Sequence, residues 1–361
     1  MTVTITEAYE GRLLRSYLKN TLGLSTASLA RLKAREDGIR VNGTRVTVRC
    51  VLHTGDRLEL AVDDTPDTAT ETVLPAAGDL DILYEDDLLT VLNKPAGMPT
   101  HPSHGHLTDT LANALAYRCA AAGVPFVFRP IGRLDKDTSG VVVAAKTHAA
   151  AGFLGNCLIQ RRVTKRYLAV LEGCLPTDDR LHRIEVPILR PAEGVVMRTA
   201  CPGKHPPEGS EYALTTYRVL ASTPDHTLVL AQPHTGRTHQ LRVHFAHLGH
   251  PLCGDGVYGR PTATAAIGRQ ALHCLSLSFP YPFSDRAGRH ALTPPMPSPS
   301  EPVNFPCSDG WMHTYAPLPQ DLETLVQSEY PAFAAAHGGL LHDPTAAMLV
   351  AADGGQLACT I

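Results

Sequence analysis

The chain has 361 residues, 43% of them hydrophobic, and a formal net charge of −3, enough apolar material for one large domain and a smaller companion. No apolar run approaches the ~20 residues that span a bilayer, and the N-terminal MTVTITEAYEGRLLR lacks the charged-then-apolar order of a signal peptide. Nine cysteines scattered without a C-x-x-C pair point to reduced thiols, so membrane, secreted and zinc-ribbon classes are set aside and a cytoplasmic protein is expected.

Residues 1–62 read as a small α+β domain. In GRLLRSYLKNTLGL, Leu13, Leu14, Tyr17, Leu18 and Leu22 recur at helical spacing up to Gly23. Ser25 is placed to N-cap a second helix, TASLARLKARE, with Leu29 and Leu32 inward and Arg31, Lys33 and Arg35 outward. IRVNGTRV carries a hairpin signal with Asn42-Gly43 as its two-residue turn, and VLHTGDRLELAV supplies a last strand. Residues 63–79, acidic and rich in Thr, Ala and Pro, read as a linker.

A second domain is expected over residues 80–330. LDILYEDD and LLTVLNKP predict strands, TLANALAYRCAAAG a helix closing at Gly123, and VVVAAK, KRYLAVLEG, EYALTTYRVL and HTLVLAQ further strands. THQLRVHFAHLG predicts a helix capped by Thr238 and Gly249, with Leu241, Phe245 and Leu248 facing the core. Strands outnumber helices without regular alternation, which predicts an α+β fold on a mixed or antiparallel sheet. A Pro-rich stretch after about residue 285 leads to a weakly helical LPQDLETLVQSEY, and residues 331–361 form a tail that carries no functional signal.

The modest net charge conceals an uneven distribution. Residues 1–62 hold ten Lys/Arg against six Asp/Glu, and residues 91–289 hold 22 against 13. Residues 63–90 and 290–361 hold nine and seven acids and no base. The two basic segments also hold every motif below, as a polyanion-binding surface requires, although an acidic linker and tail on an ordinary surface would give the same totals.

RLDKDTSG, Arg133 to Gly140, packs acids, hydroxyls and cations into eight positions. A dehalogenase-type phosphatase needs its first aspartate at the end of a buried strand, but here RPIGR precedes and the apolar VVVAAK follows. An aspartic protease needs glycine two residues after its aspartate, and Asp137-Thr138-Ser139-Gly140 has one residue too many. Asp135 therefore sits in a loop just ahead of a buried strand, where Asp137, Thr138 and Ser139 can fold the turn by bonding backbone N–H groups. The histidines around positions 101–106 and 234–250 offer neither H-E-x-x-H nor a His239–His244 spacing of four, so they read as hydrogen-bonding residues rather than metal ligands.

Five motifs in order, ILYEDDLLTVLNKPAGMPTHPS, RLDKDTSGVVVAAK, KRYLAVLEG, GRTHQLRVHFAHLGHPLCGDGVYG and LHCLSLSFPYP, resemble the pseudouridine synthase family that modifies bacterial ribosomal and transfer RNA. The paired helices, IRVNG turn and GDRLEL strand of the first 62 residues resemble the S4-type RNA-binding module appended in one subgroup. The resemblance spans roughly residues 10–285. It implies a bent, mainly antiparallel sheet with a central cleft, an RNA partner (23S ribosomal RNA first, transfer RNA second), a monomer, and no metal or organic cofactor. It implies further that Asp135 is the nucleophile and that Arg242 keeps it ionised. Tyr167 then lies against the base and assists loss of the C5 proton, and Leu241 packs on the base's other face. Arg133 would hold the flipped nucleotide, with Lys94, Lys165 and Arg237 as phosphate contacts. One departure is Gly132, where the subgroup often has histidine and a related subgroup has glycine. A non-catalytic RNA-binding protein on the same fold is the alternative.

Overall fold

The structure, a computed structural model, describes residues 1–62, 73–192, 196–259, 267–282, 305–306 and 310–336. Its first strand, β1 (Thr2–Thr4), has no signal in the sequence; it exists because β4 gives it a partner. The apolar repeat that follows buries Leu14, Tyr17, Leu18 and Leu22, but Leu13 is 51% exposed. Leu13 precedes the single turn α1 (Leu14–Ser16), after which the chain widens into a π-helical turn over Tyr17–Thr21. Ser25 does cap α2 (Thr26–Ala34), its Oγ accepting the Ser28 N–H at 3.0 Å. Ser25→Ala should therefore cost about 1 kcal/mol, read as a lower urea midpoint at unchanged slope.

The hairpin forms where Asn42-Gly43 predicts it. Strands β2 (Ile39–Val41) and β3 (Thr44–Arg45) flank Asn42 at φ 52° and Gly43 at φ 78°, the two left-handed residues that such a tight turn demands. Strand β4 (Arg57–Leu60) completes a four-stranded sheet in the order β1-β4-β2-β3.

The main body opens with β5 (Asp81–Glu85) and β6 (Leu89–Lys94), then α3 (Leu111–Ala121), whose Thr110 and Asn113 form a reciprocal capping box. Next come β7 (Arg129–Pro130), β8 (Ser139–Ala145), α4 (His148–Ile159) and β9 (Thr164–Glu172). After β10 (His182–Glu185), a small β11 (Ile188–Leu189) and β12 (Thr199–Ala200) pair lies apart from the main sheet. The chain continues through β13 (Leu214–Ser222), β14 (His226–Pro233), α5 (Gln240–His247) and β15 (Leu272–Pro280). It ends with β16 (Phe305–Pro306), β17 (Trp311–Tyr315), α6 (Gln320–Glu329) and α7 (Pro331–Ala336).

Eleven described strands form one sheet, β10-β13-β14-β9-β15-β8-β6-β5, with β7 on β8 and β17 and β16 beyond β15. Every pairing is antiparallel except β8 with β15, so the sheet is mixed and the fold α+β, as the strand pattern predicts. At that parallel junction Gly140 has φ 114°, and a Cβ on it would lie 2.2 Å from the Cys274 carbonyl oxygen. Glycine alone lets the two strands meet there, which fixes the end of the RLDKDTSG loop.

Alternation along β9 divides the core. Ala169 and Leu171 join the larger cluster with α3, α4 and the N-terminal unit, whereas Leu168 and Val170 pack with Leu322, Leu325 and Val326 of α6 on the other face. Phe333 of α7 joins the second cluster, so the packed body runs past residue 330, the boundary expected from sequence. The linker stretch 63–72 and most of the Pro-rich segment and tail lie outside the described residues.

Helix α4 buries Ala149, Ala150, Phe153, Leu154 and Cys157. At its Gly152 a Cβ would sit 2.9 Å from both the Ser25 and Ser28 hydroxyls. The missing side chain lets the N-terminal unit dock on α4, and Asn156 adds a hydrogen bond to the Gly23 carbonyl at 3.4 Å. The seven cysteines among the described residues are all free thiols.

Candidate active site

The loop ahead of β8 is held by its own carbonyls. The Thr138 N–H donates to the Asp135 carbonyl at 3.1 Å and closes the turn. Three side chains from separate parts of the chain then donate to its other carbonyls: Thr100 to Leu134 at 3.2 Å, Lys94 to Lys136 at 2.9 Å, and Arg269 to Asp137 at 3.2 Å. Arg269 is itself held by a two-pronged ion pair to Asp321 at the start of α6, at 2.7 and 2.9 Å. Backbone donors and acceptors fixed in this way leave the Asp135 carboxylate free to face the pocket.

Lys94 is thus a scaffold residue and not a phosphate contact. Its side chain is fully buried, and its ammonium also donates to Pro95 and Met98 carbonyls at 2.8 and 2.6 Å. All three hydrogens are used, which corrects the role expected of it. Sequence alone reads a lysine in a basic segment as surface charge; the carbonyls that consume this one come from a loop 42 residues away.

Arg242, on the first turn of α5, stands between two carboxylates. Its Nε and Nη2 donate to Asp255 at 2.7 and 2.8 Å, and its Nη1 lies 3.4 Å from Asp135 Oδ2. Asp255 has no exposed side-chain surface and also accepts the N–H groups of Val257 and Tyr258 at 2.9 and 3.1 Å. Burial pushes the Asp255 carboxyl up, but Arg242 and the two N–H donors outweigh it and hold it below the usual range. The guanidinium stacks 5.1 Å from the centre of the Tyr258 ring. Asp255 lies in the GDGVYG run, and motif reading leaves this partner of Arg242 unassigned.

Beside Arg242, His239 adopts a left-handed backbone, φ 56° and ψ 21°, as the residue that starts α5. Thr238, expected there, instead accepts a hydrogen bond from Arg133 at 3.2 Å. The far end of the helix is also corrected: Leu248 is 39% exposed, whereas Leu241 and Phe245 are buried. The loop before α5 is secured by Gln240, whose Oε1 accepts from the Thr235 hydroxyl and the Arg237 N–H at 2.7 and 3.0 Å. His244, as expected of these histidines, bonds Thr215 and the Val186 carbonyl, both at 2.9 Å.

These elements enclose an open pocket of about 440 Å³. Asp135, Tyr167, Leu241 and Arg242 line it together, with Arg133, Lys165 and Arg237 also on its walls. Among the described residues no carboxylate other than Asp135 lines it. Burial, then Cys274 beside its hydroxyl, holds Tyr167 as a neutral phenol. Burial also draws the Lys165 amine below its ordinary value. Lys165 Nζ fills the space beside Gly132, 2.6 Å from where a Cβ would stand, so a larger residue at that position would displace it. Arg237 is committed to the Tyr212 carbonyl at 3.0 Å and to the Glu211 carboxylate.

Residues 88–247 match the family described as RNA pseudouridylate synthase. An uncharacterized RNA pseudouridine synthase of Bacillus subtilis, YjbO, is 34% identical over 308 residues, which cover 85% of this chain and 96% of that one. The chain belongs to the RNA pseudouridine synthase family. A further relative, ribosomal large subunit pseudouridine synthase D of Pasteurella multocida, is 33% identical over 318 residues, 83% of this chain and 86% of its own. Among solved structures, human RNA pseudouridylate synthase domain containing 4 shares the fold, with TM-score 0.52 and 22% identity, over 68% of this chain and 92% of that one. This pseudouridine synthase therefore isomerises uridine in RNA, and the pocket just described is where that family membership directs attention.

Proposed function

We propose that this pseudouridine synthase modifies 23S ribosomal RNA, with transfer RNA as the second candidate, through Asp135 as its nucleophile. The observation that carries the reading is the position of Asp135: the one carboxylate among the described residues lining a pocket of about 440 Å³, 3.4 Å from a guanidinium that a second, buried carboxylate orients. Breaking the N1–C1′ bond and rejoining C1′ to C5 requires a carboxylate that engages the ribose or the base, and a cation that favours its charged form. Tyr167 and Leu241 bracket the uracil, and Arg133 at the rim holds the flipped nucleotide. Relatives named for the large ribosomal subunit support the choice of RNA. The N-terminal unit serves as the S4-type module, with Arg31 and Lys33 exposed on α2 for phosphate contact. The enzyme works as a cytoplasmic monomer.

The test is tritium release from RNA labelled at uridine C5, with unmodified 23S ribosomal RNA and bulk transfer RNA in separate reactions, because forming pseudouridine must expel the C5 hydrogen. Release from the ribosomal RNA that disappears with Asp135→Asn supports the reading. Release from transfer RNA alone reassigns the substrate. Undiminished release by Asp135→Asn removes Asp135 from its role.

A further inference from the structure

We infer that His239 is a positioning residue for Asp135, and that together with Arg242 it commits one carboxylate oxygen to the protein and leaves the other to react. The inference rests on Asp135 being the nucleophile. Asp135 Oδ2 lies 3.4 Å from Arg242 Nη1 and 3.8 Å from His239 Nε2. Among the described residues no hydrogen bond reaches Oδ1, so that oxygen is not engaged by a protein donor.

The hydrogen-bond chain behind His239 favours a ring proton on Nε2 over Nδ1. The Tyr258 hydroxyl accepts the Arg198 N–H at 2.8 Å, and its one hydrogen is then free for His239 Nδ1, 2.9 Å away. With Nδ1 accepting, the ring proton sits on Nε2 and faces the carboxylate. The opposite tautomer would set a lone pair against Asp135.

Backbone geometry supports the same role. A non-glycine residue in the left-handed region costs roughly 1 kcal/mol and survives where the surroundings impose it. Here it turns the imidazole away from the helix N-terminus, where it makes no capping bond, and into the pocket, leaving the side chain 9% exposed. The charged groups facing the ring are Asp135 from its loop, Arg242 from α5, Arg198 from the segment before β12, and Asp255 from the loop after α5. Burial outweighs the pull of Asp135 and keeps the ring neutral near pH 7. At 3.8 Å the contact is longer than a hydrogen bond, and positioning of Asp135 requires it to shorten in the RNA complex.

The experiment measures single-turnover tritium release and RNA retention on filters from pH 5.5 to 8.5, for His239→Phe, His239→Asn, Tyr258→Phe and Asp135→Asn. Asparagine tolerates the left-handed backbone, so His239→Asn keeps the fold in hand should the phenylalanine variant misfold. Both His239 variants should turn over about 10- to 100-fold more slowly with RNA affinity within about twofold of wild type. Tyr258→Phe should lose rate at neutral pH and recover it as falling pH protonates the ring, which restores the Nε2 hydrogen. A purely structural role would not create that pH dependence. If His239→Asn matches wild type while Asp135→Asn is inactive, or if its loss lies in RNA affinity, the inference fails and the nucleophile reading stands. If Asp135→Asn remains active, both fall.

Discussion

Asp255→Ala should lower stability by about 3–5 kcal/mol and slow turnover by two orders of magnitude or more. The variant leaves a guanidinium that is only 7% exposed without the carboxylate that binds two of its nitrogens. The penalty arises from the stranded charge, not from the small volume lost. The freed guanidinium would turn toward the remaining carboxylate, Asp135, and occupy the oxygen that the substrate needs. Asp255→Asn should fall between, because one amide oxygen still accepts. Its acid behaviour should differ as well. The folded pKa of Asp255 is depressed, so its contribution is present above the unfolded value near ~3.9 and is lost as pH falls through the folded one. Wild type should therefore show acid destabilisation below about pH 4 that the asparagine variant lacks in part. Urea unfolding from pH 3 to 7 checks this. A midpoint for Asp255→Ala within error of wild type would remove Asp255 from the support of Arg242.

What could be read from the sequence, and what could not, divides by the range of the interactions. The Asn42-Gly43 turn, the Ser25 cap and the strand of KRYLAVLEG are local: the residues that signal each element lie within it. Asp135, Tyr167, Leu241 and Arg242 could be named because each sits in a short motif, and the fold does bring all four to one pocket. The support behind them is long-range. Lys94 meets the Lys136 carbonyl across 42 residues, Arg269 meets Asp137 across 132, and Tyr258 meets the Arg198 N–H across 60. No local pattern marks such partners, since a lysine destined for three carbonyls looks the same as one destined for solvent. Gly152 of helix α4 is a related case, explained only by the N-terminal unit that packs on it.

Lys94 should give the protein two opposed responses to alkaline pH, both absent from Lys94→Met. Burial pulls its pKa down to about 7, although the charges of Asp137 and Asp135 resist. In the unfolded chain the value is near ~10.4, so between about pH 7 and ~10 the unfolded chain holds the proton more firmly than the folded one. Stability should therefore rise with pH through that window, by up to several kcal/mol. Activity should move the other way. Three carbonyls surround the nitrogen at 2.6–2.9 Å, and a neutral amine has only two hydrogens for them. Above about pH 7 one carbonyl is left without a donor, and the loop that presents Asp135 loses part of its anchorage. Lys94→Met strands all three, so its turnover should be about 10- to 100-fold lower, while neither its stability nor its rate should carry this pH dependence. Parallel urea unfolding and single-turnover assays from pH 6.5 to 9.5 separate the two effects. A wild-type stability curve that is flat or falling across that range would mean that Lys94 keeps its proton throughout, with the three-carbonyl cradle outweighing the cost of burial.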